Sequence, residues 1–253
     1  LYGTPDFNHL PLIFYMKTTD HRLCQAPRIA TQSRSVAVPD MERLIKNHLC
    51  RSAPGNAASA GKEPYLAVIH RLDQPVTGIL VFAKTKSAAR ELSQQLTDPK
   101  KAAFGKYYRA LVEKRPDTDS GILEDYLCKD PQTNTSRVCS QNTPGAGWHA
   151  WNSTSLWITS SIGDGGFLKI RPQWSRPSYL STFSPAATTD PGTAGEYGCP
   201  ILGDTKYNPH SMWNVGKNSW QQIYLCAYKL TFRHPTTGKP MTFELKDARD
   251  CGF

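Results

Sequence analysis

The sequence predicts an α+β fold, and three observations support this class. Two short apolar runs, Leu66–Ile69 and Gly78–Ala83, have the length of buried strands and flank a polar turn. Between the second of them and a later strand-like run, Lys106–Val112, the apolar spacing changes to that of a helix. Two more strand-like runs, 223–232 and 240–245, are joined by a turn containing Pro and Gly. Strands and helices mixed without regular βα alternation favour α+β over a parallel sheet.

Local signals predict two helices. Met41–Leu49 repeats apolar residues at helical spacing directly after Pro39 and Asp40. Thr85 can cap the second helix, because a threonine hydroxyl accepts a hydrogen bond from an unpaired N–H of the first turn. Thr-Asp-Pro at residues 97–99 ends that helix. Its apolar stripe comprises Ala88, Ala89, Leu92 and Leu96.

Two segments lack a clear signal. Residues 1–30 are interpreted as irregular, because Pro5, Pro11 and Pro27 interrupt a continuous helix or central strand. Residues 144–196 contain four tryptophans and many Ser and Thr. They follow neither the period of a strand nor that of a helix, so no element is predicted there.

The charge balance favours a polyanionic partner. The chain carries 30 Lys and Arg against 21 Asp and Glu, a net charge of +9. Neutralising nucleic-acid phosphates releases counterions and drives binding. Because many soluble proteins are basic without such a partner, charge alone leaves a specific and an unspecific basic surface both open.

Cysteine usage and hydropathy bear on the compartment. The seven cysteines are scattered and none lies in a CxxC pair, so neither a zinc site nor a redox dithiol has local support. Dispersed thiols are typical of a reducing compartment, and the cytoplasm is therefore expected. The sequence has no run of roughly 20 apolar residues and no secretory pattern at its start, so no membrane association is expected.

The pattern best suited to chemistry is the polar turn of His70, Arg71, Leu72 and Asp73 between two apolar runs. A carboxylate on such a turn projects from a rigid base, as catalytic groups often do. Arg71 could keep Asp73 ionised through a charge-assisted hydrogen bond. On residue types alone, a structural ion pair between the two is the commoner arrangement, so both interpretations stay open.

Four blocks of sequence follow one another in the order known from an enzyme family. The first begins with His-Arg-Leu-Asp at residues 70–73 and ends with Ala83 and Lys84. The others are 104–112, with a K-x-Y-x-A-x-V pattern, 198–207, with G-x-P-I-x-G-D-x-K-Y, and 225–235, a closing strand and turn. Together they resemble the RluA-like RNA pseudouridine synthases, and ordered blocks are far more specific than one short motif.

The resemblance implies a chemistry and a set of residues. Asp73 matches the family's essential aspartate, which acts on a flipped-out uridine as nucleophile or base. Tyr108 matches the tyrosine that stacks on the target base, although residue type alone also allows a core aromatic. The substrate-binding residues expected from the match are Arg71, Thr77, Lys106 and Arg176. The reaction is an isomerisation, so no metal or organic cofactor is expected.

Basic residues concentrate in the sequence around the expected site, where they could hold phosphates on either side of a flipped base. A solvated helix face explains Lys86 and Arg90 equally well. The full set comprises Lys84, Lys86, Arg90, Lys100, Lys101, Lys106 and Arg109.

One family motif is missing. An R-x-x-T-G-R-x-H-Q-I-R-V segment is expected before the G-x-P-I-x-G-D turn, and one of its arginines pairs with the catalytic aspartate. Here Arg171 and Arg176 match its beginning, but the H-Q-I-R part is absent. Codons for residues 188–195 that are read one nucleotide later can encode Gln-Gln-Ile-Arg-Val, which suggests a frame disruption. The alternative is divergence, with Arg171 or Arg176 replacing the lost arginine.

The resemblance predicts one pseudouridine synthase domain over residues 1–253, with 29–140 and 197–245 best supported and 1–28 and 144–196 atypical. The expected fold is a mixed, mainly antiparallel sheet with flanking helices around a basic cleft. No S4-type RNA-binding module is expected. The predicted function is pseudouridine formation in ribosomal or transfer RNA by a cytoplasmic monomer. The alternative is a catalytically impaired, RNA-binding remnant of the same family.

Overall fold

The computed structural model describes residues 12–17, 29–33, 35, 37–38, 40–52, 63–73, 76–98, 101, 103–112, 120–132, 136–156, 166–173, 201–204 and 223–245. Within these residues the chain forms two helices and ten strands. In chain order they are β1 (Leu12–Lys17), α1 (Met41–Ser52), β2 (Ala67–Val68), β3 (Thr77–Ala83), α2 (Lys86–Thr97), β4 (Gly105–Val112), β5 (Ser120–Lys129), β6 (Ser136–Cys139), β7 (Gly147–Leu156), β8 (Gly166–Gln173), β9 (Leu225–Arg233) and β10 (Pro240–Glu244).

All ten described strands belong to one sheet. Its order is β1-β3-β9-β4-β8-β7-β5-β6, with β2 added to β3 and β10 added to β9. The pairings between these strands are antiparallel except for β3 with β9, where Thr77 lies opposite Cys226 and Gly78 opposite Ala227. The predicted α+β class and the mixed, mainly antiparallel sheet are therefore confirmed.

Strand β3 is buried on both faces of the sheet. Successive side chains of a strand point to opposite faces, and those of β3 divide between two core clusters. Leu80 and Phe82 pack in the cluster that contains Met41 and Ile45 of α1. Ile79, Val81 and Ala83 pack in the cluster that contains Ala88 and Leu92 of α2. The two helices therefore cover opposite faces, which explains why this strand reads as a continuous apolar run.

The caps that begin the two helices are made by side chains. The buried Asp40 accepts hydrogen bonds from the N–H groups of Arg43 at 2.9 Å and Ser33 at 2.8 Å, so it caps α1 and ties the preceding segment to it. Thr85 accepts from the N–H of Ala88 at 3.2 Å, as the sequence predicts for α2.

Two sequence interpretations were wrong. Part of the segment read as irregular forms β1, an edge strand on β3 that contains none of the three prolines. The region without a clear period contains β7 and β8, which pair with each other, while β7 also pairs with β5 and β8 with β4. Backbone bonds to neighbouring strands form these elements, and no alternation of apolar residues is required for them.

Candidate active site

Asp73 lies on a segment that is anchored on both sides. As predicted, this segment connects β2 to β3. Arg71 and Asp73 are exposed. Leu72 between them and the later Val76 are buried in the core cluster that contains Met41 and Ile45 of α1. The N–H of Val76 donates to the Asp73 carbonyl at 3.0 Å. The carboxylate is therefore presented to solvent from a backbone that the core holds on either side.

Tyr108 lies on β4 and packs in the same cluster as Leu72 and Val76. Its side chain is 2% exposed, and its hydroxyl has no hydrogen-bond partner among the residues that the structure describes. Burial raises the pKa of Tyr108 above its ordinary value, and the charge of Asp73 raises it further. The residues on either side of Asp73 therefore pack in the same cluster as Tyr108, and burial keeps the phenol neutral.

The other predicted site residues are placed differently from one another. Arg71 is exposed beside Asp73, and the ion pairs within the described part of the chain do not include one between them. Thr77 is buried, and its hydroxyl donates to the Leu225 carbonyl at 3.5 Å, which gives it a contact between β3 and β9. Arg176 lies outside the described residues, as do residues 188–195 of the proposed frame disruption.

Lys106 and His70 are both buried, which the sequence did not indicate. Lys106 is 7% exposed and His70 is 3% exposed. Within the described residues, neither the Lys106 Nζ nor either ring nitrogen of His70 has a hydrogen-bond partner. Burial lowers the pKa of Lys106 to about 8. Burial and the nearby charge of Lys106 lower the pKa of His70 to about 3. The burial of the Lys106 amine argues against a surface contact with RNA phosphates.

The depressed pKa of His70 predicts that acid weakens the fold. An unfolded histidine binds a proton below about pH 6.5, whereas folded His70, with a pKa of about 3, stays neutral. As the pH is lowered from about 6.5 to about 3, this group should therefore lower the free energy of unfolding by up to roughly 1.4 kcal/mol per pH unit. His70→Phe keeps a ring against Phe104. It should flatten the dependence of the unfolding free energy on pH, as measured by urea titrations between about pH 3 and pH 6.5.

The exposed Asn47 of α1, which carries no titratable group, provides the control for this experiment. Asn47→Gln should leave the slope of unfolding free energy against pH as it is in the wild type. An equal slope in the wild type and in His70→Phe would contradict a neutral buried His70. Buried Lys106 should also lower the free energy of unfolding as the pH falls, but between its ordinary pKa of 10.5 and about 8. This pH range is well separated from that of His70.

Several of the basic residues predicted to surround the site lie on the side of the sheet that α2 covers, away from the Tyr108 cluster. Lys86 and Arg90 are exposed on α2, which packs on the sheet face opposite the Tyr108 cluster. A solvated helix face explains these two residues better than RNA binding. Lys101 bonds Gln94 at 2.6 Å and pairs with Glu91 at 3.5 Å. Arg109 lies over the Tyr228 ring, 4.7 Å from its centroid.

The block containing the G-D turn lies against β4 and β9. The N–H of Leu202 donates to the Leu111 carbonyl at 2.9 Å, and that of Tyr224 donates to the Leu202 carbonyl at 3.0 Å. Gly203 takes a φ of 75°, which favours glycine, and Asp204 beside it is buried. Sequence blocks that lie far apart in the chain therefore meet next to the strand that carries Tyr108.

Thr31 makes a contact with Leu72 that the sequence did not predict. Its hydroxyl donates to the Leu72 carbonyl at 3.0 Å and accepts from the Leu72 N–H at 3.2 Å. Both residues are buried. The segment 29–49 matched the family only loosely, and a single threonine there gives no recognisable signal.

Neither helix in the described part of the chain has the length and hydropathy that a membrane span requires. No group of three His, Cys, Asp or Glu side chains in this part of the chain could hold a metal ion.

Comparisons with known proteins identify relatives of this chain. Residues 36–156 match the family model described as RNA pseudouridylate synthase. The dual-specificity RNA pseudouridine synthase RluA of Haemophilus influenzae is 30% identical over 226 residues, which cover 79% of this chain and 90% of that protein. The ribosomal large subunit pseudouridine synthase C of the same species is 26% identical over 183 residues, 71% of this chain and 51% of that protein.

A solved structure has the same fold. The human RNA pseudouridylate synthase domain containing 4 matches with a TM-score of 0.63 and 17% identity, over 93% of this chain and 85% of that chain. The fold and the sequence relatives define the class as an RNA pseudouridine synthase. The chain belongs to the RluA-like family of these enzymes.

Proposed function

We propose that this chain isomerises specific uridines to pseudouridine in structured RNA, with Asp73 as the catalytic carboxylate. The observation that carries the proposal is that Leu72 and Val76, on either side of Asp73, pack in the same core cluster as Tyr108, in a member of this family. Asp73 is exposed on an anchored segment, so its carboxylate is accessible to a nucleoside. A rigid presentation of this kind is what a catalytic group requires.

The reaction exchanges one bond of the nucleoside for another. The bond between ribose C1′ and N1 of uracil breaks, the base rotates, and C1′ bonds to C5. The hydrogen on C5 leaves as a proton, and N1 gains one, so the atoms balance without any oxidant or reductant. Asp73 acts either by adding to C1′ or by removing a sugar proton, and a carboxylate suits both roles.

Tyr108 and Arg71 complete the proposed site. The Tyr108 ring stacks on the flipped base, and its hydroxyl, which the raised pKa keeps protonated, is the proposed group for moving the sugar proton. Because the ring is buried in the free protein, uracil reaches it only when neighbouring side chains move. Arg71 is exposed beside Asp73, where it either replaces lost base stacking or contacts a phosphate. Thr77 and Arg176 remain proposed substrate contacts, and Lys106 remains one only towards a uridine that has entered the site, because its amine is buried away from the surface.

The proposed substrate is ribosomal or transfer RNA. The related synthase C is named for the large ribosomal subunit and the related RluA for dual specificity towards RNA. The net charge of +9 suits such a partner. We further propose that residues 1–253 form one catalytic domain and that the protein acts as a monomer in the cytoplasm, away from membranes.

The missing H-Q-I-R motif favours a second candidate, an RNA-binding remnant with impaired catalysis. In the family an arginine of this motif pairs with the catalytic aspartate, so without the motif that charge must come from another arginine. Arg171 of β8 or Arg176 could supply the missing charge. Sequencing the encoding DNA distinguishes divergence from frame disruption, because an uninterrupted frame through residues 188–195 would end the second idea.

A pseudouridine map of cellular RNA tests the function and identifies its substrate. Cells that lack the gene should lose pseudouridine at one or more sites in ribosomal or transfer RNA. The wild-type gene should restore those sites. A map that is identical in the two strains would favour the impaired remnant over the enzyme.

A further inference from the structure

We propose that Thr31 is a positioning residue that orients the backbone from which Asp73 projects. The inference rests on the proposed catalytic role of Asp73. Thr31 lies 41 residues before Leu72 in the chain, yet its hydroxyl both donates to and accepts from the Leu72 backbone. A single side chain thereby holds both polar groups of the residue that precedes the carboxylate.

The hydrogen bond from Thr31 to the Leu72 carbonyl explains how Thr31 acts on Asp73. The Leu72 carbonyl belongs to the peptide group that joins Leu72 to Asp73, and it lies 3.0 Å from the Thr31 hydroxyl. Because a peptide group is planar, fixing its oxygen also fixes the direction in which the Asp73 Cα continues. The Leu72 N–H, 3.2 Å from the same hydroxyl, restrains the peptide on the other side of Leu72.

Thr31 can act in this way because it is itself held. It is 2% exposed. Its carbonyl accepts from the N–H of Glu42 at 3.3 Å, and the Ala30 carbonyl accepts from the N–H of Met41 at 3.0 Å. Asp40, which caps α1, also binds the N–H of Ser33. The orientation of Asp73 is therefore set relative to the first turn of α1.

Removal of the hydroxyl should impair the chemical step more than RNA binding. In Thr31→Val the side chain keeps its shape, but the peptide before Asp73 loses its restraint. A displacement of about 1 Å in a reacting group can cost on the order of 100-fold in rate. The single-turnover rate constant should therefore fall about 10- to 100-fold. Since Thr31 is buried away from any RNA contact, the RNA concentration at half-saturation should change by less than about threefold.

The experiment measures tritium release from RNA that is labelled at C5 of uridine and taken from cells lacking the gene. It compares the wild type with Thr31→Val, Thr31→Ala and Thr31→Ser. Thr97→Val is the matched control, since it removes an exposed hydroxyl that donates to the Ser93 carbonyl within α2 at 2.8 Å. Rates are referred to the folded fraction, which is measured by circular dichroism, so that a loss of stability alone does not lower them.

Each outcome decides a different point. Rescue in Thr31→Ser, which restores the hydroxyl, together with loss in Thr31→Val or Thr31→Ala would support the positioning role. Rates within about threefold of the wild type in a folded Val or Ala variant would overturn it. A folded Thr31→Ser variant that loses more than about tenfold would also overturn it, even if the other variants do not fold. No release from the wild type would instead refute the proposed function.

Discussion

Replacing Gly78 by alanine should destabilise the fold by about 3–5 kcal/mol, a large share of the roughly 5–15 kcal/mol that holds a typical domain together. Gly78 has a φ of 135°, a conformation that L side chains rarely adopt. A Cβ at this position would lie 2.5 Å from the Ala227 carbonyl oxygen and 2.6 Å from the Ala227 Cβ. The backbone of β9 cannot move away from it without breaking the pairing of β3 with β9, so thermal or urea unfolding should show the loss directly.

Gly145 and Gly238 separate the close approach from the backbone conformation. Both have positive φ values, 82° and 68°, but a Cβ at either would meet nothing within 4 Å. Gly145→Ala and Gly238→Ala should therefore cost about 1–2 kcal/mol, the price of the left-handed conformation alone. If Gly78→Ala were no more destabilising than these two, the close contact between β3 and β9 would be contradicted.

Much of the fold could be predicted because local signals coincide with buried elements. The capping threonine and apolar stripe of α2, and the apolar runs of β3 and β4, are each recognisable without their neighbours. β7 and β8 could not be found in this way. Their pairing depends on β5 and β4, which lie elsewhere in the chain, and their own residues follow no simple period.

The residues of the candidate site also differ in whether the sequence alone reveals them. The segment carrying Asp73, and Tyr108 on its strand, could be named from motifs that are continuous in sequence. The burial of His70 and Lys106, and the two hydrogen bonds from Thr31 to Leu72, depend on segments that meet only in the folded chain. A motif identifies the residues that perform chemistry, whereas the residues that hold them come from packing.

Asp73→Asn should abolish turnover while leaving RNA binding almost unchanged. The substitution keeps the size of the side chain and removes the negative charge that is needed for addition to C1′ or for proton removal. General-base and nucleophilic roles are each worth on the order of 100- to 10,000-fold, so we expect at least about a 1,000-fold slower reaction. Removing one negative charge adds no repulsion towards the RNA phosphates. The dissociation constant for RNA should therefore stay within about threefold of the wild-type value.

A control variant separates the loss of this carboxylate from the loss of a negative charge in general. Glu91→Gln, on the partly exposed side of α2, removes one negative charge elsewhere and should change neither the rate nor RNA binding.

Tritium release by the wild type and by Asp73→Asn, measured side by side on the same C5-labelled RNA, tests the catalytic assignment most directly. We expect release from the wild type, release at the wild-type rate from Glu91→Gln, and none above background from Asp73→Asn, although all three proteins bind the RNA. Release from Asp73→Asn at a rate close to that of the wild type would show that the carboxylate does not perform the chemistry.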